Sequence, residues 1–258
     1  MIHLKSDADI QTMAEGGKIL SLVLSKTLAM IKPGVSLLEL DTLAHKEIIT
    51  LGGQSSFQKV PGYKWALCTC VNDIVVHGIP TNYEICEGDV VGIDCGVYFK
   101  GFHTDASWTV LVESSQRKNY TVKEKFLLTG KNALLQALSC VKEGNYVYDI
   151  SRAIQTTVEE GGYSVVRTLI GHGIGKDLHE EPEIPGFVKI ERAETAKLAV
   201  GMTLAVEVIY NMGIHSVVYK GNDGWTIATK DGTISGLFEA TVALTSHGSL
   251  VLTKSDFT

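Results

Sequence analysis

The strongest constraint on the fold of this chain is a series of short motifs that occurs twice. Three pairs of segments share an offset of about 110 residues: 31–34 with 141–144, 52–53 with 161–162, and 88–94 with 201–207. Each match is weak alone, but their common order and offset favour an internal duplication over coincidence. No segment rich in Pro, Gly or Ser separates the halves, approximately residues 1–113 and 114–258. We therefore expect a single domain over residues 1–258 in which both halves share one core.

Helical and strand-like segments follow the same order in both halves. Ser6 with Asp9 and Ser36 with Glu39 form capping boxes that precede apolar residues at helical spacing. Further helices are expected near 121–138 and 149–160. Strand-forming residues fill 71–76, 89–98, 102–112, 165–170, 202–210, 224–229 and 236–244, with a hairpin turn at 99–101. The pattern predicts an α+β fold.

Composition excludes several classes of protein. The 258 residues include 23 Lys and Arg against 29 Asp and Glu, a formal charge of −6, which is unlike a nucleic-acid-binding protein. The five cysteines are odd in number and lack Cys-x-x-Cys spacing, which argues against a disulfide framework or a thiolate zinc site. There is no signal-peptide pattern and no apolar run of about 18 residues. We expect a cytoplasmic protein with no membrane partner.

Four carboxylates occur where apolar strand residues would be expected. Asp94 and Asp105 lie on the two strands of the predicted hairpin, which would place them opposite each other. Glu207 and Glu239 each interrupt a later apolar strand. A buried carboxylate is costly unless it is paired or bound to a metal, and close like charges repel. One such residue could lie at a sheet edge, but four favour a shared cation site.

Three histidines are further candidates. His172 lies between Gly171 and Gly173, which do not match a dinucleotide-binding fingerprint and leave the imidazole free to bind a metal. His77 and His179 are compatible with either a structural or a catalytic role. Four carboxylates and one neutral imidazole carry a formal charge of −4, which two divalent ions balance. Mn, Fe, Co or Zn suit such ligands, and two ions sharing a water predict hydrolysis.

These motifs resemble the type I methionine aminopeptidases, a family within the creatinase/aminopeptidase superfamily, over essentially the whole chain. The residues that match the family's metal ligands in type, order and spacing are Asp94, Asp105, His172, Glu207 and Glu239. The segments 77–80, 179–182 and 223–226 match as well. The resemblance implies a pita-bread fold, in which two pseudo-symmetric halves form a curved antiparallel sheet covered by helices.

The resemblance also implies roles at a dinuclear metal centre. Asp94 would hold one ion, Asp105 and Glu239 would bridge both, and His172 would hold the second. Glu207 would be both a ligand and the general base for a bridging water or hydroxide. The reaction implied is removal of the initiator methionine from nascent polypeptides with a small second residue.

Substrate contacts are implied in the same way. His77 would contact the scissile amide and help to move a proton, and His179 would stabilise the tetrahedral intermediate. The residues expected to line the methionine pocket are Tyr63, Cys68, Leu178 and Trp225. The implied partners are nascent polypeptide N-termini, with transient ribosome contact by a monomer.

Three positions depart from the family pattern. Val208 replaces a common Pro, Ala240 replaces a common His, and Leu178 replaces a frequent aromatic residue, which could loosen the methionine pocket. A proline-directed or general aminopeptidase of the same superfamily is an alternative, although such enzymes usually carry an extra N-terminal domain for which we expect this chain to have no room. A non-catalytic binding protein on this fold is another, but it would be expected to have lost ligands.

Overall fold

The computed structural model describes residues 1–113 and 120–254. Within these ranges the helices are α1 (Asp7–Met30), α2 (Leu37–Thr50), α3 (Tyr120–Ser139) and α4 (Val147–Glu160). The strands are β1 (Gln54–Ser55), β2 (Leu67–Val71), β3 (Ile74–Val76), β4 (Val90–Phe99), β5 (Phe102–Leu111), β6 (Ser164–Val165), β7 (Ile170–Gly173), β8 (Glu180–Pro185), β9 (Thr203–Asn211), β10 (Val217–Tyr219), β11 (Ile227–Thr229), β12 (Ser235–Thr245) and β13 (Gly248–Val251). None of these helices is long and apolar enough to cross a membrane.

Local sequence signals account for most of these boundaries. The Ser6 and Ser36 hydroxyls accept hydrogen bonds from the third residue of α1 and α2, so both predicted capping boxes are confirmed. The β4–β5 turn is also confirmed, because Lys100 and Gly101 both have positive φ, as in the turns that match strand twist. The segment 71–76 was wrongly predicted as one strand. Asn72 adopts a φ of 54° and turns the chain between β2 and β3.

The segment 165–170 was also wrongly predicted as a continuous strand. Within it, only Val165 at the end of β6 and Ile170 at the start of β7 lie in strands. The main sheet has ten antiparallel strands, and its longest path runs β1-β4-β5-β12-β9-β7-β8. A second sheet holds β10, β11 and β3. The predicted α+β architecture with a large antiparallel sheet is therefore confirmed.

The helices pack against one face of the main sheet. Successive strand residues point to opposite faces, so alternate side chains join the helices in the core. Ile93 on β4 and Val206 on β9 belong to this helix-facing layer and are fully buried. Val208 and Ala240, two of the departures from the family pattern, lie in the same layer with no exposed surface. These two substitutions therefore change the core and leave the opposite face unaltered.

The two halves repeat their contacts as well as their motifs. Ser36 forms an isolated bridge with Glu84, and Tyr146 forms the corresponding bridge with Lys197. Strand β1 pairs with the end of β4 as β6 pairs with the end of β9. We infer from these equivalent contacts that one ancestral unit was duplicated, and we retain the proposal of a single domain.

The halves meet where β5 pairs with β12. On one side of this seam the Thr109 hydroxyl accepts a hydrogen bond from the Leu237 N–H at 3.0 Å and donates to the Leu237 carbonyl at 2.7 Å. On the other side the Thr241 hydroxyl makes the same two bonds to the backbone of Asp105, at 2.9 and 2.8 Å. Threonine side chains thus replace main-chain partners on both sides of the centre of the seam.

Candidate metal centre and substrate cavity

Four residues form a row across the four central strands, on the face of the sheet opposite the helices. Asp94 on β4 lies opposite Ser107 on β5, and Ser107 lies opposite Glu239 on β12. Glu239 in turn lies opposite Glu207 on β9. Directly opposite residues on antiparallel strands share a face with Cβ atoms about 4.5–5.5 Å apart. The register therefore brings three of the four predicted carboxylates together.

Asp105 lies one step further along the same face. It is opposite Gly96 and not opposite Asp94, so the predicted direct pairing was wrong. The two-residue turn at 100–101 sets the hairpin register, and this register places Ser107 across from Asp94. Asp94 and Asp105 are diagonal neighbours on one face, which still keeps their carboxylates within reach of a common ion.

His172 supplies the one nitrogen donor among the five predicted ligands. It lies on β7 opposite Ala205, two residues before Glu207 on β9. Its Nδ1 is 2.8 Å from the Gly173 carbonyl, which can only accept, so Nδ1 carries the hydrogen. In the neutral ring Nε2 is then left with a free lone pair, and it lies 3.4 Å from Glu207 Oε1. This arrangement is typical of a metal-binding histidine.

The buried carboxylates lack the partners that their burial requires. Asp94 Oδ1 and Glu239 Oε1 are buried and have no hydrogen-bond partner within the described ranges. Desolvation, followed by repulsion from neighbouring carboxylates, raises the pKa of Asp94, Asp105 and Glu239 well above ordinary values. Donor atoms of Asp105, His172 and Glu239 lie within 4.8 Å of one another. Oxygen donors with one imidazole fit a divalent metal, which would satisfy the orphaned oxygens.

An apolar wall faces this cluster across one cavity. The five predicted ligands line this cavity. The four predicted pocket residues line it as well, namely Tyr63, Cys68, Leu178 and Trp225. The Tyr63 and Trp225 rings meet edge to face, with centroids 5.1 Å apart at 75°. The Tyr63 hydroxyl donates to the Leu67 carbonyl at 2.7 Å and lies 3.2 Å from Cys68 Sγ. Burial and nearby Asp94 raise the pKa of the Cys68 thiol, which keeps this wall uncharged.

Sequence reasoning missed four other residues of the cavity wall: Phe57, Val60, Val76 and Leu237. Leu237 could have been found, because it lies two residues before Glu239 and therefore shares its face of β12. The others had no signal, since their segments reach the cavity only through the tertiary fold.

His77 is held at the cavity by a strained backbone. Its φ is 55°, a left-handed conformation that is uncommon for residues other than glycine. The next residue, Gly78, accepts a hydrogen bond from the Thr69 N–H at 2.7 Å, and any side chain at Gly78 would collide with the Thr69 carbonyl. His77 is exposed to the cavity, yet the surrounding protein desolvates its ring and lowers its pKa. Strain of this kind is concentrated at functional sites.

His179 belongs to the loop between β7 and β8. Its ring centroid is 4.4 Å from that of His172, with the two planes at 67°. Desolvation, then the neighbouring His172 and His77, lowers the pKa of His179 to about 4. At neutral pH the ring is therefore uncharged and can donate one N–H hydrogen bond into the cavity.

Comparison with known proteins gives a consistent family assignment. The model of metallopeptidase family M24 matches residues 11–246. A methionine aminopeptidase of Clostridium perfringens is 40% identical over 253 residues, which are 98% of this chain and 99% of that protein. The methionine aminopeptidase structure from Thermotoga maritima has a TM-score of 0.92 at 35% identity, covering 98% of this chain and 100% of that chain.

A more distant structure shares the fold alone. The Xaa-Pro dipeptidase of Bacillus anthracis has a TM-score of 0.73 at 23% identity, and the match covers 98% of this chain but 62% of that chain. Together these likenesses confirm the pita-bread fold expected from the motifs. By the family model and the full-length similarity alike, the chain belongs to metallopeptidase family M24.

Proposed function

We propose that the protein is a methionine aminopeptidase that removes the initiator methionine from nascent polypeptides with a small second residue. The observation that carries the proposal is a single cavity that joins a cluster of buried carboxylates and His172 to an apolar pocket. The first part fits a metal-dependent hydrolase and the second fits an apolar side chain. The full-length similarity to methionine aminopeptidases supports the same activity.

The metal centre proposed here is dinuclear. The residues that would hold two divalent ions of Co, Mn, Fe or Zn are Asp94, Asp105, His172, Glu207 and Glu239. When bound, such ions supply Lewis-acid chemistry and a water of lowered pKa. The charge balance supports two ions, because four carboxylates with one neutral imidazole need four positive charges.

Glu207 has the position required of a general base. Glu207 is only partly buried, whereas Asp94, Asp105 and Glu239 are buried. Glu207 can therefore take a proton from a water molecule in the cavity and pass it to the leaving amine. Proton transfer of this kind contributes roughly 10²–10⁴-fold to rate.

Two histidines would act on the peptide itself. Uncharged His179 can donate to the scissile carbonyl oxygen as negative charge develops there, a contribution of about 10²–10³-fold in comparable sites. His77, held in its strained backbone, lines the same cavity and would contact the scissile amide and assist the proton transfer.

The apolar wall would receive the methionine side chain. A thioether is flexible and polarisable, and sulfur makes favourable contacts with aromatic rings. Tyr63 and Trp225 supply such rings, and Leu178 closes the wall where related enzymes often have an aromatic residue. In the cell, nascent N-termini would reach a cytoplasmic monomer through transient contact with the ribosome.

A metal series on defined peptides tests this function. Protein stripped with a chelator should leave Met-Ala-Ser intact and should cleave it after addition of Mn, Fe, Co or Zn. Met-Ala-Ser should be a better substrate than Met-Ile-Ser or a peptide with proline in second position. Reloaded protein that binds metal normally but does not release methionine would refute the proposal. Preference for Xaa-Pro peptides would favour the proline-directed alternative.

A further inference from the structure

The loop of residues 174–179 carries two residues of the proposed site, Leu178 and His179. One end of the loop is fixed to the sheet. The Ile174 N–H donates to the Thr203 carbonyl at 3.1 Å, and the Gly175 carbonyl accepts from the His103 N–H at 2.7 Å. The other end, which carries His179, leads into β8, where Glu180 lies opposite Gly173 of β7.

A buried ion pair holds the side chain at this end of the loop. Lys5, which precedes α1, pairs with Glu180, the first residue of β8 and the direct neighbour of His179. The two side chains are only 6% and 4% exposed. The Lys5 N–H also donates to the Gly201 carbonyl at 2.7 Å, so its own position is fixed near the start of β9. Glu180 Oε1 in turn accepts from the Asp177 N–H at 3.2 Å, within the loop.

The close approach of this pair depends on Gly175. A methyl group at Gly175 would lie 2.7 Å from both Lys5 Nζ and Glu180 Oε1. Because Gly175 has no side chain, the ammonium group can cross the loop and reach the carboxylate. The lysine therefore lies over the same loop that presents His179.

The other lysine and arginine ion pairs in the described ranges have exposed basic side chains. Lys26 pairs with Glu47 at 2.6 Å, but the Lys26 side chain is 53% exposed. Exposed pairs contribute little, whereas burying two charges is costly and requires good geometry and extra hydrogen bonds. Both members of the Lys5–Glu180 pair make further hydrogen bonds, because Lys5 Nζ also donates to the His3 carbonyl at 3.0 Å and Glu180 accepts from Asp177. The next residue in the chain before Glu180 is His179, a proposed catalytic residue.

We propose that Lys5 is a positioning residue, which acts through Glu180 to hold the loop so that His179 faces the scissile carbonyl. The inference rests on the methionine aminopeptidase function proposed above. It gives the segment before α1 a part in catalysis, although that segment does not line the cavity.

The test compares kinetics of Lys5→Met and Lys5→Arg with wild-type protein on Met-Ala-Ser. Misplacement of a reacting group by about 1 Å can cost about 10²-fold in rate, so we expect Lys5→Met to lower kcat about tenfold. KM should change much less, and Lys5→Arg should keep most of the rate. The control is Lys26→Met, which removes an exposed pair and should leave kcat unchanged.

A His179→Ala background separates positioning from general destabilisation. If Lys5 acts through His179, Lys5→Met should cause no further loss of kcat when His179 is already absent. An equal loss in both backgrounds would overturn the inference. A wild-type protein that does not cleave the peptide would instead refute the proposed function.

A second variant covers the case in which Lys5→Met does not fold. Gly175→Ala leaves both charges in place and displaces the flexible end of Lys5 from Glu180. It should reproduce the tenfold loss of kcat, while calorimetric titration with Mn²⁺ should give the wild-type affinity. Wild-type kcat in a folded Gly175→Ala protein would overturn the inference.

Discussion

Glu207 on β9 lies directly opposite Glu239 on β12, and both side chains point to the face of the sheet that lines the cavity. Like charges at directly opposite positions destabilise a sheet. The pair is therefore a cost to the metal-free fold, and a bound cation would offset it. Several measurable consequences arise from this opposition and from the burial around it.

The first prediction concerns Glu207 as the residue that accepts a proton. Glu207→Gln should lower kcat on Met-Ala-Ser by roughly 10²–10⁴-fold, because the amide cannot accept a proton. It should also raise the melting temperature of the metal-free protein, since Glu207 would no longer disfavour ionisation of the buried Glu239 carboxyl group. Glu160→Gln, at an exposed helix position, is the matched control. A Glu207→Gln enzyme within a few-fold of wild type would exclude the general-base role.

The second prediction concerns how the stability of the metal-free protein depends on pH. Burial raises the pKa of Asp94, Asp105 and Glu239, so the folded state holds these protons more tightly than the unfolded state. Their contribution to the free energy of unfolding therefore declines as pH rises from about 4, the unfolded value, through the raised folded values. The lowered pKa values of His77 and His179 change the free energy of unfolding with pH in the opposite direction. The contribution of the buried acids must therefore be measured by comparing variants.

Glu239→Gln provides that comparison, since it removes one buried acid and leaves the histidines in place. Between about pH 4 and 8 its melting temperature should fall less with rising pH than that of the wild-type protein. Calorimetry after chelator treatment measures both slopes. Equal slopes would show that Glu239 has no raised pKa. Addition of Mn²⁺ should stabilise wild-type protein most at high pH, where its ligands are already deprotonated.

The third prediction concerns the charge state of His179. Its pKa of about 4 means that the ring is neutral in the folded protein while it would be protonated in the unfolded chain near pH 5. It thus contributes stability above the unfolded pKa of about 6.5, and this contribution is lost as pH falls towards 4. NMR titration of the metal-free protein should show a His179 midpoint near that value. A midpoint near 6.5 would contradict the desolvation by surrounding protein.

The fourth prediction concerns the strictness of methionine selection. Leu178→Phe should increase the ratio of kcat/KM for Met-Ala-Ser over Leu-Ala-Ser by about 2–10-fold, because a third ring would contact the thioether. Tyr219→Phe is a suitable control, since Tyr219 is 72% exposed and does not line the cavity. An unchanged ratio would place Leu178 outside the methionine pocket.

The clustered carboxylates could be picked out from the sequence because each is chemically out of place. Glu207 and Glu239 interrupt runs of buried apolar residues, and no local structure requires them there. The structure shows why such residues cluster, since one face of adjacent strands collects them. The pairing of Asp94 with Ser107 could not be predicted in the same way, because the register depends on the turn at Lys100.

Residues that act through tertiary contacts left no comparable signal. Phe57 and Val60 are ordinary apolar residues in a short segment after β1, and only the fold brings them to the cavity. Lys5 reads as an exposed terminal lysine, yet it pairs with Glu180, which is far along the chain. Periodicity and residue type report on local structure and cost of burial, and neither encodes these long-range partners.

Ser107 makes the row of residues across the sheet unequal between the two halves. In the correspondence between the halves, Asp94 matches Glu207 and Ser107 matches Glu239. Ser107 is the one neutral member of the row. It is fully buried, and its hydroxyl has no hydrogen-bond partner within the described ranges. Two identical halves would form a cavity that looks the same from either end. The neutral serine breaks that equivalence, so the N-terminal half contributes one carboxylate to the row and the C-terminal half contributes two.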